Sequence, residues 1–200
     1  MNNAALSESL LRQVEFLKEV EKLKLVNRKN RVFGGARFEN SAEHSWHVAL
    51  MAVILGQYVE EDIDLLKVIK MLLIHDLVEI DAGDTWLYSP DADAAFQEEE
   101  IAANRLFAIL PLEQQTEFTA LWREFQTKTT AEAKFVSAID GVQPLLNHLV
   151  TGNPSEGVIS LETGRAKKEY IRSSAPKLWK LVENLIALSV EKGLYRQKNR

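Results

Sequence analysis

The chain contains no cysteine. That absence removes disulfides, thiolate zinc sites and cysteine nucleophiles from consideration, and it suits a cytoplasmic location. Long apolar runs are also missing. The longest, Val48 to Leu55, falls far short of the ~20 residues that span a bilayer, so no membrane partner is expected. At the N-terminus no basic stretch leads into an apolar one, so no secretory signal is read. Positive charge is in deficit, with 24 Lys and Arg against 29 Asp and Glu and a net charge of -5. Phosphate backbones are held by clustered cations, so a nucleic-acid partner is not expected. A small phosphate substrate is still allowed, because one Arg and a metal ion can hold it. Strand-like alternation is absent as well.

What is present is helical periodicity, in a chain of 200 residues with a 46% hydrophobic share that suits one domain and a sizeable core. Leu10, Leu11, Val14, Leu17 and Val20 form an apolar stripe on a first helix. The stretch "VNRKNRVFGGARFENS" breaks the pattern and reads as a loop. Ser41 is placed as the N-cap of a second helix running to about Tyr58. A third opens near Asp64 and continues to Gly83, and a fourth ends at Pro111. A fifth covers about Leu112 to Gln126. Thr130 caps a sixth, bent near Pro144, and further helices separated near Pro176 fill the C-terminus. The expectation is an all-α bundle of roughly eight helices.

Histidine is scarce too: His44, His47, His75 and His148 are all there are. The segment "KMLLIHDLVEIDAGD" puts His75 and Asp76 into an otherwise apolar helix, with Glu79 one turn further on and Asp84 past Gly83. Taken alone, His75 reads more readily as a satisfied core residue and Asp76 as a surface cap or ion-pair partner. Two other places alter the balance. His44 lies in the first turn of a helix whose other face is apolar, and Asp140 is a lone carboxylate in the apolar stretch "KFVSAIDGVQPLL". A buried carboxylate is normally paired or metal-bound, and two imidazoles with two carboxylates suit a divalent first-row metal or zinc.

His44, then His75-Asp76, then Asp140 resembles the H…HD…D signature of the HD-domain metal-dependent phosphohydrolases. "ENSAEHSWHVALMA", "LLIHDLVEIDAGD", "EEEIAANRLFAILP" and "LWREFQTKTTAEAKFVSAID" resemble the branch that holds the 5'-deoxynucleotidases and their HD-domain relatives. The likeness covers about residues 22–148. It implies metal ligands at His44, His75, Asp76 and Asp140, and catalytic carboxylates at Glu79 and Asp84. It also implies a phosphate-contacting arginine at Arg28 and a second basic substrate-binding position at Arg37. Lys29 stands where some deoxynucleotidases carry an aromatic residue, and Gly141 where many relatives carry an arginine.

Family members with two metals carry extra histidines between the HD pair and the last Asp. None lies between His75 and Asp140, so the resemblance implies one divalent ion, of Mn, Co, Mg, Zn or Fe. His47 is read as structural, His148 as a helix-surface residue, Glu98 to Glu100 as a solvated face, and Trp46, Trp122 and Trp179 as packing. Trp86 and Tyr88 are candidates for a pocket wall or lid. Asp81 is expected to face solvent or an arginine.

The whole chain, 1–200, is expected to form a single HD domain, with a metal-binding core at about 22–150 and C-terminal helices at 155–195 packed on it. The expected function is release of phosphate from (deoxy)nucleoside 5'-monophosphates. Two alternatives stand beside it: an HD hydrolase of another small phosphate ester or pyrophosphate, and a non-catalytic metal-stabilised helical module. A homodimer is the default oligomer.

Overall fold

The computed structural model describes residues 7–85, 92–152 and 160–195. Among them are ten α-helices: α1 (Glu8–Val20), α2 (Ser41–Leu55), α3 (Leu65–Ile74), α4 (Glu79–Ala82), α5 (Ala92–Phe107), α6 (Leu112–Thr127), α7 (Ala131–Thr151), α8 (Leu161–Ala166), α9 (Tyr170–Ser174) and α10 (Pro176–Glu191). The all-α expectation holds. None of these helices is long and apolar enough to cross a membrane.

The segment read as a loop instead folds into a short antiparallel hairpin, β1 (Asn27–Arg31) with β2 (Phe38–Asn40). The strands are too short and too polar to show alternation. Positive φ at Gly34 and Gly35 allows the chain to reverse between them.

Helix α7 is the axle of the fold. It packs against α2, α3, α6, α9 and α10 and touches β1. Phe135, Val136, Ala138, Ile139 and Val142 are therefore buried around its circumference, as suits a helix apolar on most sides. Each such large side chain contributes about 1.5–3 kcal/mol on burial. Pro144 lies inside α7. Outside this axle, Trp122 of α6 stacks on Phe96 of α5 and, like Trp179 of α10, is buried.

Helix α1 differs from its sequence reading. Leu10, Leu11, Val14 and Leu17 of the supposed core stripe are exposed, and Phe16 makes the buried contact. Arg12 holds the helix down by donating to the carbonyls of Ala108, Ile109 and Leu110 just past α5. Trp46 is also exposed (63%), so its assignment to packing is corrected.

The second and third helices are corrected at the positions that matter for the site. Asn40, not Ser41, caps α2: its side chain accepts from Glu43 N, and the Glu43 side chain accepts in turn from Asn40 N. Ser41 thus becomes the first helical residue, with its hydroxyl free for other use. The expected third helix stops at Ile74. His75 N still donates to Met71 O, but Leu77 N turns to Ile74 O and Glu79 N to Asp76 O. The backbone tightens from i−4 to i−3 bonding before α4 begins.

Candidate active site

That tightened turn is where the candidate site begins. Three residues per turn bring side chains at i and i+3 nearly into line, so Asp76 and Glu79 share one side. Both face Arg28, which β1 carries in from the hairpin. Its Nη1 donates to Asp76 Oδ2 at 2.8 Å and lies 3.8 Å from Glu79 Oε1 and 3.7 Å from Asp84 Oδ1. Gly83, at φ 76°, ends α4 in a conformation that turns the chain back and leaves Asp84 beside the guanidinium. Burial opposes the charge on Arg28, but Asp76, Glu79, Asp140 and Asp84 outweigh it and push its pKa up.

His44 and His75 meet deeper in. Both rings are buried, with centroids 5.7 Å apart. His44 Nε2 lies 3.0 Å from Asp140 Oδ1 and 3.7 Å from Asp76 Oδ2. His75 Nε2 lies 3.0 Å from Asp76 Oδ1 and 3.9 Å from Asp140 Oδ1. Ligand atoms of His44, His75 and Asp140 all fall within 4.8 Å of one another. Asp76 approaches both rings while its other contact, to Arg28, holds it at the edge of this group.

The donor chemistry fits a divalent ion. His75 Nδ1 sits 2.8 Å from the Leu72 carbonyl, which can only accept, so in the neutral ring Nδ1 carries the hydrogen and Nε2 presents a lone pair. That Nε2 is buried without a hydrogen-bond partner. Burial alone would raise Asp140, but the hydrogen bond from His44 and the nearness of His44, His75 and Arg28 hold it far below the carboxylate range.

Glu79 and Asp84 shift the opposite way from Asp140. Burial pushes Glu79 well above its ordinary range, with Asp76 and Asp84 adding to the shift and Arg28 opposing it. Its Oε2 accepts a 2.5 Å hydrogen bond from Ser41 Oγ. Burial likewise raises Asp84, against the pull of Arg28. The carboxyls, Arg28 and His75 open onto a cavity of about 700 Å³, within the range of small-molecule sites.

Arg28, His75, Asp76, Glu79, Asp84 and Asp140 line that cavity, and His44 stands behind Asp140. Arg37 does not join them. It is exposed at the surface and forks onto Glu43, at 2.5 and 2.8 Å. Asp81 faces an arginine, as one of its two expectations had it, bonding Arg105. His47 stands off the cavity, 3.4 Å from Gln143 Nε2. His148, expected at the surface, lines the cavity and meets the Tyr195 ring edge-on. Within the supposed solvated run, Glu99 lines the cavity too and accepts from Gln126. Trp86 and Tyr88 lie outside the described residues.

Several site residues had no sequence signal strong enough to find them. Ser41 reads in sequence as a helix cap. Glu39 is buried and accepts from Gln143 Nε2 at 2.8 Å, with its other oxygen 3.9 Å from both His44 Nδ1 and Arg28 Nε. Lys168 and Tyr170 come from the C-terminal quarter, beyond the quoted motifs, and both line the cavity.

A family model for the HD domain matches residues 20–179. The 5'-deoxynucleotidase HDDC2 of Bos taurus is 30% identical over 139 residues, covering 66% of this chain and 64% of the bovine protein. The same enzyme of Homo sapiens is 29% identical over 138 residues, covering 66% and 65%. The chain thus spans just under two thirds of the length of these curated relatives. Among solved structures, a predicted metal-dependent phosphohydrolase from Magnetospirillum magnetotacticum superimposes with a TM-score of 0.88 at 36% identity, over 96% of this chain and 100% of that one. An HD-domain phosphohydrolase from Listeria innocua, at 21% identity and a TM-score of 0.68 over 91% and 92%, adds likeness of fold alone.

Proposed function

The chain belongs to the HD-domain family, and from that premise we propose that it is a cytoplasmic, metal-dependent phosphomonoesterase that releases phosphate from (deoxy)nucleoside 5'-monophosphates. One observation carries the reading. Two carboxyls raised by burial, Glu79 and Asp84, face the same cavity as a buried His44–His75–Asp140 group and share Arg28 with Asp76. A purely structural metal site needs ligands and no such pair, which argues against the non-catalytic module.

His44, His75, Asp76 and Asp140 are the residues that would hold a single divalent ion. Such an ion, when bound, supplies Lewis-acid stabilisation of phosphate charge and makes water a better nucleophile. The protein's own part is positional and acid–base. Glu79, fixed by Ser41, orients the attacking water and takes its proton. Its raised pKa brings it closer to neutrality, where a base is most effective. As the water oxygen bonds to phosphorus and the ester P–O bond breaks, Asp84 gives its proton to the leaving 5'-alkoxide. The products are the nucleoside and inorganic phosphate. Arg28 holds the three carboxylates together and keeps one positive charge beside the phosphate. A cavity of about 700 Å³ leaves room for the sugar and base.

The test is phosphate release from a panel of ribo- and deoxyribonucleoside monophosphates, after chelation and after return of Mn²⁺, Co²⁺, Mg²⁺ or Zn²⁺. Deoxynucleoside monophosphates should be hydrolysed, with activity lost on chelation and regained with metal. Hydrolysis confined to general esters or pyrophosphates overturns the substrate assignment, and metal binding without turnover on any substrate overturns the activity.

A further inference from the structure

Among the cations that line the cavity, Arg28 is already committed. Four carboxylates, Glu39, Asp76, Glu79 and Asp84, lie within 3.9 Å of its guanidinium. Lys168 is the opposite case. It is 4% exposed and lines the same cavity, yet among the described residues its ammonium has neither a hydrogen bond nor an ion pair. Its nearest charges act at a distance: Asp140 and Arg28 both influence it. A lysine whose stem is buried and whose ammonium lacks a protein partner at a cavity wall points to a ligand that supplies the missing negative charge. We propose that Lys168 is the principal phosphate-binding cation of the substrate site, delivered by the turn between α8 and α9. The proposal rests on the phosphohydrolase reading and deepens it.

The backbone around Lys168 is built to hold it in place. Lys168 N donates to Arg165 O, and its own carbonyl accepts from Ile171 N, whose side chain is fully buried. Two residues on, Tyr170 Oη donates to the Ser137 carbonyl at 2.9 Å, pinning the turn to α7. The ring can lie there because position 141 is glycine: a Cβ would stand 2.2 Å from Tyr170 Oη. The absence of a side chain after Asp140 thus admits Tyr170, and with it the segment that brings the lysine to the cavity. Burial also brings the ammonium pKa down to about 8, against the pull of Asp140. A bound phosphate would restore the charge.

Titration of inorganic phosphate into the full-length, Mn²⁺-loaded protein tests this, with nucleotide kinetics alongside. Lys168→Met, neutral and of similar length, should weaken phosphate binding by about tenfold to a hundredfold, the loss typical of a charged hydrogen bond. KM for the nucleotide should rise by a similar factor while Mn²⁺ affinity is kept, and Lys168→Arg should recover part of the loss. Lys168→Gln gives the same reading if the Met variant does not fold. Phosphate affinity within about twofold of wild type in the neutral variant overturns the proposal. So does a loss accompanied by loss of Mn²⁺ binding, since the lysine would then only be holding the site together. Two mixed outcomes separate the readings. Lysine-dependent phosphate binding without nucleotide turnover sinks the substrate assignment and leaves the anion site standing. Turnover with phosphate binding indifferent to Lys168 does the reverse.

Discussion

Hydrogen bonds one step removed from the His44–His75–Asp140 group and its neighbouring carboxyls decide what these side chains can do. The Leu72 carbonyl sets the His75 tautomer, and Ser41 fixes Glu79 with a 2.5 Å bond. Replacing Glu79 with Gln or Asp84 with Asn should lower kcat by ~10²–10⁴ each while divalent-metal affinity is retained. Turnover equal to wild type in either variant removes that residue from the chemistry. The HD pair, Glu79 and Asp84 were legible because polar groups in an apolar pattern stand out. Ser41, Glu39 and Lys168 were not, since a serine before a helix or a lysine near the C-terminus is ordinary in sequence. Their roles come from what they face after folding.

Among the elements, the entry to α2 is the clearest example of local chemistry supporting a distant site. The capping box of Asn40 and Glu43 starts the helix that carries His44. Asn40→Ala should cost about 1 kcal/mol in chemical denaturation, and an unchanged midpoint would show that the cap does not matter. Hydrogen bonding to Arg37 lowers the Glu43 pKa, so its contribution is present above the ordinary glutamate range and fades as pH falls through the lowered value. The deficit of Glu43→Gln, small for so exposed a pair, should therefore be seen at neutral pH and vanish in acid. A deficit that persists in acid would trace it to packing instead. The third-helix expectation failed at its end for a readable reason. Periodicity continues through His75, but the backbone changes to i−3 bonds there, and no residue between Ile74 and Glu79 forbids either pattern.

At the scale of the molecule, α7 joins the two halves of the design. It carries Asp140 to the histidines of α2 and the α3–α4 turn, and it receives the C-terminal α9 and α10 on its other side. Coupling between site and core follows. A divalent ion at about 100 times its Kd should stabilise the protein by about 2.7 kcal/mol, read as a rise in Tm. Asp140→Asn should abolish that rise while remaining folded. A metal-dependent Tm that survives in Asp140→Asn would place the ion elsewhere.

The sequence by itself determined the helical class, most helix positions, and the set of unusual residues, because periodicity and misplaced polarity are local properties of the chain. It did not determine the short hairpin, the exposure of the α1 stripe or Trp46, or the break after Ile74. Nor did it show that Arg37 forks onto Glu43 while Lys168 turns inward. Those outcomes depend on which surfaces meet, and residues 28, 44, 76, 140 and 168 acquire a common electrostatic setting only when five separate segments close around one cavity.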